Sequence, residues 1–204
     1  MANEGDEENK VVLIGESTVG KTCIILQFID GRFKANSLST LSAQFCTKKF
    51  EFPGKKFITL DIWDTVGQEK FRSLNKIFYS NAKAVVLVYD ITNKKSFDEI
   101  KNYWYGQIRQ NCENNVIIAI AANKSDLSDE REVSEDEGVE FANKIEAIYS
   151  STSAKDNTGI KYLFETIAKK MLEPDFIFKT NKANNTSVRI TKKKNKIEDQ
   201  RRCC

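Results

Sequence analysis

The sequence predicts a three-layer α/β fold: a mostly parallel six-stranded sheet with one antiparallel edge strand, and helices on both faces. Three observations predict it. Short continuous apolar runs alternate with longer helical patterns, as in parallel sheets buried between helices. Two strand-like runs flank Pro53-Gly54, which marks a hairpin and so one antiparallel pairing. A glycine-rich turn and two acidic motifs directly follow apolar runs, at strand ends where ligands sit in such sheets.

The elements follow in chain order. Val11 to Gly15 reads as a buried strand, and a helix starts at Gly20 and runs to about Ile29. Gln44 to Phe52 and Lys56 to Trp63 form the hairpin. Ala84 to Asp90 and Val116 to Ala122 are unbroken apolar runs of strand length, the mark of strands covered on both faces. Helical patterns occupy Ser96 to Cys112, Ser134 to Asn143 and Thr158 to Leu172, with Pro174 as a stop signal. A short strand, Ala147 to Ser150, fits between the last two helices. There is no internal repeat, and periodicity decays after Leu172.

Composition narrows the class. At 204 residues the chain holds one core. No stretch approaches the ~18 consecutive apolar residues of a membrane span. Met1 to Lys10 carries four acids and no apolar segment, so no secretory signal is expected. Histidine is absent, which excludes Ser-His-Asp chemistry, Cys-His proteases and His-ligated metals. The net charge of +3 hides an asymmetry: Asn181 to Cys204 holds eight Lys/Arg and two acids, +6, so the other 180 residues carry −3. A near-neutral body with a basic tail suits an anionic membrane or another acidic surface rather than a broad nucleic-acid-binding face. The five cysteines have no framework spacing, which favours a reducing compartment.

Three motifs carry chemistry. Gly15-Glu-Ser-Thr-Val-Gly20-Lys21-Thr22 matches G-x-x-x-x-G-K-[ST] between a strand and a helix. Its glycines let backbone N–H groups face phosphate oxygens at a helix N-terminus. Lys21 would reach the β- and γ-phosphates and the Thr22 hydroxyl would bind Mg²⁺. The bland alternative is an ordinary strand-to-helix turn. Asp64-Thr-Val-Gly67-Gln68 ends a strand. Asp64 would hold Mg²⁺ through water, the Gly67 N–H would approach a γ-phosphate, and Gln68 would orient an attacking water. Alone, that pattern fits a polar loop equally well. Asn123-Lys124-Ser-Asp126 follows another strand. A carboxylate at Asp126 takes two hydrogen bonds from guanine N1–H and N2–H₂, a donor pair adenine lacks, and the Lys124 stem can lie on the flat base. Alone, this is a common surface tetrapeptide; third in order behind the other two, it points to guanine.

Together with Ser153-Ala154-Lys155, these motifs resemble the small GTPases of the Ras superfamily, which share the P-loop NTPase fold. The resemblance covers about Lys10 to Leu172. Leu87-Val-Tyr-Asp-Ile-Thr92, Ile62-Trp-Asp-Thr-Val-Gly-Gln-Glu-Lys-Phe-Arg72, Ser96-Phe97 and the terminal Cys203-Cys204 are similar to the Rab family. The resemblance implies a guanine-nucleotide switch in vesicle-mediated membrane trafficking that hydrolyses GTP to GDP slowly without an activating protein. It implies Mg²⁺ held by Thr22, Thr40 and Asp64, with Gln68 catalytic. Nucleotide contacts would come from Gly15, Ser17, Val19, Gly20, Lys21, Thr22, Cys23, Phe33, Thr40, Gly67, Asn123, Lys124, Asp126, Ser153, Ala154 and Lys155. Phe33 would pack edge-on against guanine, or else be a core aromatic, and the Ala154 N–H would meet the guanine O6. Phe45, Trp63 and Phe78 match a hydrophobic effector patch, although Phe78 by sequence reads as core.

The same resemblance divides the chain into an acidic disordered N-terminus (1–9), a GTPase domain (10–173) and a flexible basic tail (174–204) with lipidation at Cys203 and Cys204. It implies a monomer working with an exchange factor, a GTPase-activating protein, a GDP-dissociation inhibitor or escort protein, and effectors at the switch regions. Its place would be the cytoplasmic face of intracellular membranes, cycling with cytosol; no nucleic acid is implied. The sequence departs from the Rab pattern at Leu41-Ser42, where Ile-Gly is usual, at Val66 for Ala, and at Phe78-Tyr79-Ser80-Asn81 for Tyr-Tyr-Arg-Gly. These departures keep a rival in view, a non-hydrolysing GTP-binding scaffold that recruits partners to membranes. A second rival, a P-loop ATPase or nucleotide kinase, is opposed by Asp126.

Overall fold

The computed structural model describes residues 9–33, 44–54, 56–65 and 78–173. Its elements run β1 (Lys10–Ile14), α1 (Lys21–Asp30), β2 (Gln44–Phe52), β3 (Lys56–Asp64) and β4 (Ala84–Asp90). Next come α2 (Lys94–Glu99), a π-helical turn (Ile100–Trp104) and α3 (Tyr105–Asn111) in one continuous run. Then β5 (Ile117–Asn123), a 3₁₀ turn (Ser128–Glu130), α4 (Glu135–Lys144), β6 (Ile148–Ser151) and α5 (Ile160–Leu172) complete the chain. The sheet order is β2-β3-β1-β4-β5-β6. Only β2 and β3 pair antiparallel, with Gln44 opposite Asp64 and Phe52 opposite Lys56. The expected fold class is what the chain adopts.

Side-chain alternation on the strands builds two cores, one on each face of the sheet, where chain length alone led to the expectation of one. Val11, Leu13, Val86 and Val88 face α1 and α5, where Phe28 and Phe164 stack at 4.2 Å between ring centroids. Val12, Ile14, Val85 and Leu87 face the other way, onto Phe97, Ile100, Trp104 and Ile108. Every residue of β4 is buried, which is why its sequence reads as an unbroken apolar run. Each fully buried large aliphatic or aromatic side chain contributes about 1.5–3 kcal/mol, so the central strands fix the frame on which the loops sit.

The helix ends follow local chemistry. Ser134 accepts from Glu137 N while the Glu137 carboxylate accepts from Ser134 N, a capping box that starts α4. Gly31 closes α1 in the left-handed region, its N–H donating to Gln27 O at 3.0 Å. The predicted helix Ser96 to Cys112 differs from the observed one. It starts earlier, because the Asn93 side chain accepts from Ser96 N at 3.2 Å and caps it. It is also interrupted by the π turn. Such turns leave the apolar spacing nearly unchanged, so periodicity does not reveal them. Because β1, β3, β4, β5 and β6 are parallel, Ile14, Asp64, Asp90, Asn123 and Ser151 all end at one edge of the sheet, the rim formed by the strands' C-terminal ends.

Candidate nucleotide site

The loop from Gly15 to Gly20 leaves β1 and enters α1 at that edge. Gly15 has φ +147° and packs so tightly on β4 that a Cβ there would stand 2.3 Å from Val88 O. Gly20 has φ +96°, and its Cβ would stand 2.3 Å from Asn123 Nδ2. Thr18 also takes a left-handed backbone, at φ 65°. Both glycines are therefore required by conformation and by close approach.

Lys21 opens α1, is 5% exposed, and folds back over the loop. Its Nζ donates to Gly15 O at 3.0 Å and Glu16 O at 2.8 Å. Burial pushes its pKa down to about 8, against the opposing pull of the Asp64 and Glu16 carboxylates. The Thr22 hydroxyl donates to Asp64 Oδ2 at 2.6 Å, joining α1 to the end of β3. Thr65, next in the chain, donates to Leu13 O at 2.6 Å and ties the β3 exit to β1. The indole Nε1 of Trp104, from the π turn, donates to Glu16 Oε1 at 3.2 Å.

The second half of the site is a side-chain network. Asn123 Nδ2 donates to Val19 O at 2.8 Å, and Asn123 Oδ1 accepts from Thr152 Oγ1 at 3.3 Å. This asparagine thus clasps the phosphate-type loop to the β6 exit. Ser153 Oγ donates to Asp126 Oδ1 at 2.7 Å, and Lys155 Nζ lies 3.8 Å from Asp126 Oδ2. Two neighbours therefore aim the Asp126 carboxylate. Ser153 and Ala154 are buried. Lys124 takes a left-handed backbone at φ 64°, and its Nζ pairs with Asp90 Oδ2 at 2.5 Å.

The structure thus brings Gly15, Gly20, Lys21, Thr22, Asp64, Asn123, Lys124, Asp126, Ser153, Ala154 and Lys155 to one edge. Ser17 and Val19 lie within the first loop, and Cys23 is half-buried on α1 beside Thr22. Phe33 is 41% exposed just past α1, which rules out the core alternative. Phe45 is 55% exposed, and its ring lies 5.1 Å from Trp63; Trp63 in turn lies 6.0 Å from Phe78. Phe78 is half-buried against the second core, so it is core and patch at once. Thr40, Leu41, Ser42, Val66, Gly67, Gln68, Cys203 and Cys204 lie outside the described residues. Sequence reasoning missed Glu16, Trp104, Thr65, Asp90 and Thr152 as members of the site. Each acts through a partner distant in the chain; only Asp90, an acid at a strand's end, left a local signal.

The sequence pattern of the Ras family matches residues 10–173. "Ras-related protein Rab-21" of Homo sapiens is 41% identical over 178 residues, 87% of this chain and 78% of that protein. "Ras-related protein Rab-8B" of Homo sapiens is 38% identical over 211 positions, 100% of this chain and 99% of that protein. "Ras-related protein RabJ" of Dictyostelium discoideum is 40% identical over 165 residues, 81% of this chain and 64% of that protein. With the matched region spanning the whole sheet and both halves of the site, the chain belongs to the Ras family and is a Rab-like GTPase within it.

Proposed function

We propose that the chain works as a trafficking switch on intracellular membranes, holding GTP with Mg²⁺ in one state and GDP in the other. The observation that carries this reading is the Asn123 Nδ2 to Val19 O hydrogen bond of 2.8 Å, which joins a phosphate-type loop to an acidic base-reading loop as one surface. In this reading the N–H groups of the Gly15–Thr22 loop and the α1 N-terminus face the phosphates. Lys21, released from two carbonyls, pairs with the β- and γ-phosphate oxygens. Asp126, aimed by Ser153, reads guanine N1–H and N2–H₂; Phe33 closes on the base edge and Ala154 N–H on O6.

Thr22 Oγ1 and Asp64 Oδ2, hard oxygen donors 2.6 Å apart at the loop mouth, fit Mg²⁺, which takes few protein ligands and keeps water and phosphate. Such an ion would supply positive charge beside the phosphates, offsetting the charge that develops during hydrolysis. Thr40 is proposed as a further ligand and Gln68 as the residue that orients that water, with the Gly67 N–H on the γ-phosphate. Phe45, Trp63 and Phe78 supply an aromatic face for effectors. We further propose residues 1–9 as an acidic lead, 10–173 as the GTPase domain, and 174–204 as a basic tether prenylated at Cys203 and Cys204. Two chains anchor stably where one is marginal. Cycling with cytosol then requires an escort protein or GDP-dissociation inhibitor that covers the lipids, and switching requires an exchange factor and an activating protein.

The test is nucleotide competition followed by single-turnover phosphate release on the full chain. GTP and GDP should displace labelled GDP far better than ATP and ADP, and Gln68→Leu should slow release. Equal competition by ATP would overturn the guanine reading. Equal release by wild type and Gln68→Leu, with and without an activating protein, would remove Gln68 from the mechanism and favour a non-hydrolysing scaffold.

A further inference from the structure

Asp90 is a buried carboxylate at the C-terminal end of β4, 6% exposed, to which the proposed chemistry gives no task. It is held with unusual completeness. Its Oδ1 accepts from Thr92 N at 2.9 Å and Thr92 Oγ1 at 2.8 Å. Its backbone N–H donates to Ser96 Oγ at 3.1 Å. Its Oδ2 meets Lys124 Nζ at 2.5 Å. A surface ion pair of two loose side chains means little. This one has a fixed acid on a buried strand and a partner whose side chain is one-third exposed at the mouth of the candidate base site.

The partner's backbone adds a second constraint. Lys124 sits at φ 64°, where side-chain-bearing residues are uncommon. Its neighbours fix that bend: Ser125 N donates to Thr152 O at 3.0 Å, and Leu127 N donates to Lys124 O at 2.9 Å. The lysine is therefore pinned at both ends, by its peptide and by its ammonium. Its methylene stem runs between them. Two residues further on, Asp126 already has Lys155 Nζ at 3.8 Å. Lys124 stands two residues before Asp126 in the same loop, and the pair with Asp90 draws its ammonium to a different acid.

We infer that Asp90 is the positioning residue of the base site: it anchors the Lys124 ammonium so that the aliphatic stem forms a flat shelf for guanine and the Asp126 carboxylate stays open to the base. The inference rests on the guanine-site reading proposed above. It assigns Asp90 no contact with nucleotide. A charge-matched pair also leaves the shelf nearly neutral, which suits the face of an aromatic ring better than a bare carboxylate.

A double-mutant cycle on the full chain tests it, reading the dissociation rate of a fluorescent GDP. Asp90→Asn keeps the size and can still accept from Thr92, but it lacks the charge that holds the ammonium. It should speed GDP release about tenfold, the low end of the range for a lost hydrogen bond to a charged group. Lys124→Ala should speed release at least as much, and adding Asp90→Asn to Lys124→Ala should change nothing further. A merely structural Asp90 would give independent factors that multiply, so multiplying factors overturn the inference, as does a folded Asp90→Asn with wild-type release. Should Asp90→Asn not fold, Thr92→Val loosens Asp90 instead. It should speed release about threefold in wild type and not at all in Lys124→Ala; equal factors in both overturn the inference. Asp126→Asn in the same assay separates the two levels. If it fails to trade guanine for xanthine, the guanine-site reading falls and the inference with it. If it does trade, additive cycles remove Asp90 alone.

Discussion

The two ends of the candidate site are made of different materials. The phosphate end is backbone: a loop of glycines and left-handed turns whose one cationic side chain, Lys21, bonds the loop's own carbonyls. The base end is side chain: Asn123, Asp126, Ser153 and Thr152 joined by hydrogen bonds between loops far apart in sequence. Backbone recognition depends on space, so it breaks when atoms are added. Side-chain recognition depends on partners, so it breaks when charges or donors are exchanged. The difference predicts opposite sensitivities for the two halves.

Adding a methyl group to the phosphate end should give the largest effect. In Gly15→Ala the new Cβ would stand 2.3 Å from Val88 O, a backbone atom of a buried central strand that cannot give way. The substitution should destabilise by roughly 3–5 kcal/mol and abolish nucleotide retention on gel filtration. Gly106→Ala is the contrast, because a Cβ there meets nothing within 4 Å on a helix. It should gain up to about 1 kcal/mol of helix propensity. A Gly15→Ala protein as stable as wild type in urea titration would mean the loop is looser than its packing.

Exchanging a charge at the base end should cost less but change specificity. Asp126→Asn keeps the volume and loses the carboxylate that would read two guanine donors. GDP should weaken by about 2–3 kcal/mol, roughly 30–150-fold, while xanthosine diphosphate gains. Unfolding midpoints should hardly move, since Asp126 closes a loop rather than a core. Competition of GDP and xanthosine diphosphate against a fluorescent nucleotide reads both effects. A uniform loss for both bases would show the base end to be a structural clasp only.

The same division decides what was legible in the sequence. A backbone cradle demands glycine at fixed spacing, so Gly15, Gly20, Lys21 and Thr22 are visible as a motif before any fold is known. The strands β4 and β5 are visible because burial on both faces demands unbroken apolar runs. Asp126 and Ser153 are visible only by their order along the chain. Asp90 with Lys124 and Glu16 with Trp104 were not visible as pairs. Each pair is assembled by the sheet order and by a π turn that leaves no mark on a 3.6-residue pattern. Pairing across 88 positions is a property of the fold, and no local rule encodes it.

The Trp104–Glu16 contact sharpens the comparison, because it is a side-chain device serving the backbone end. An acidic side chain in a phosphate loop repels the ligand unless something holds it. The indole N–H holds it at 3.2 Å. Trp104→Phe keeps a buried ring and removes the donor, so nucleotide release should quicken by a factor matching about 1–2 kcal/mol. Adding Glu16→Gln, which removes the repelling charge, should restore most of the loss. If Glu16→Gln gives no rescue, the effect of Trp104→Phe is packing alone.

The smallest expected effect concerns pH, and it sets the buried frame beside both ends. Tyr89 stands on β4 one residue before Asp90, fully buried, and its hydroxyl faces that of Tyr149 without a well-aligned hydrogen bond. Burial, then the neighbouring Tyr149, raises the Tyr89 pKa far above that of a free phenol. Burial likewise pushes Tyr79 up to about 12. Both raised values mean that the folded chain keeps protons which the unfolded chain releases near pH 10. Stability is therefore fully present below about pH 10 and falls as pH rises toward 12. Gly138 leaves the room for this pair: a Cβ there would stand 2.6 Å from Tyr89 Oη. Tyr89→Phe removes a titrating hydroxyl that makes no well-aligned hydrogen bond, so it should cost little at pH 7 and flatten the alkaline decline. Urea midpoints of wild type and Tyr89→Phe at pH 7, 9 and 11 read the slope directly. Parallel declines in the two proteins would move the alkaline sensitivity to the other raised groups, Tyr79, Tyr149, Cys46 and Cys112, and away from Tyr89.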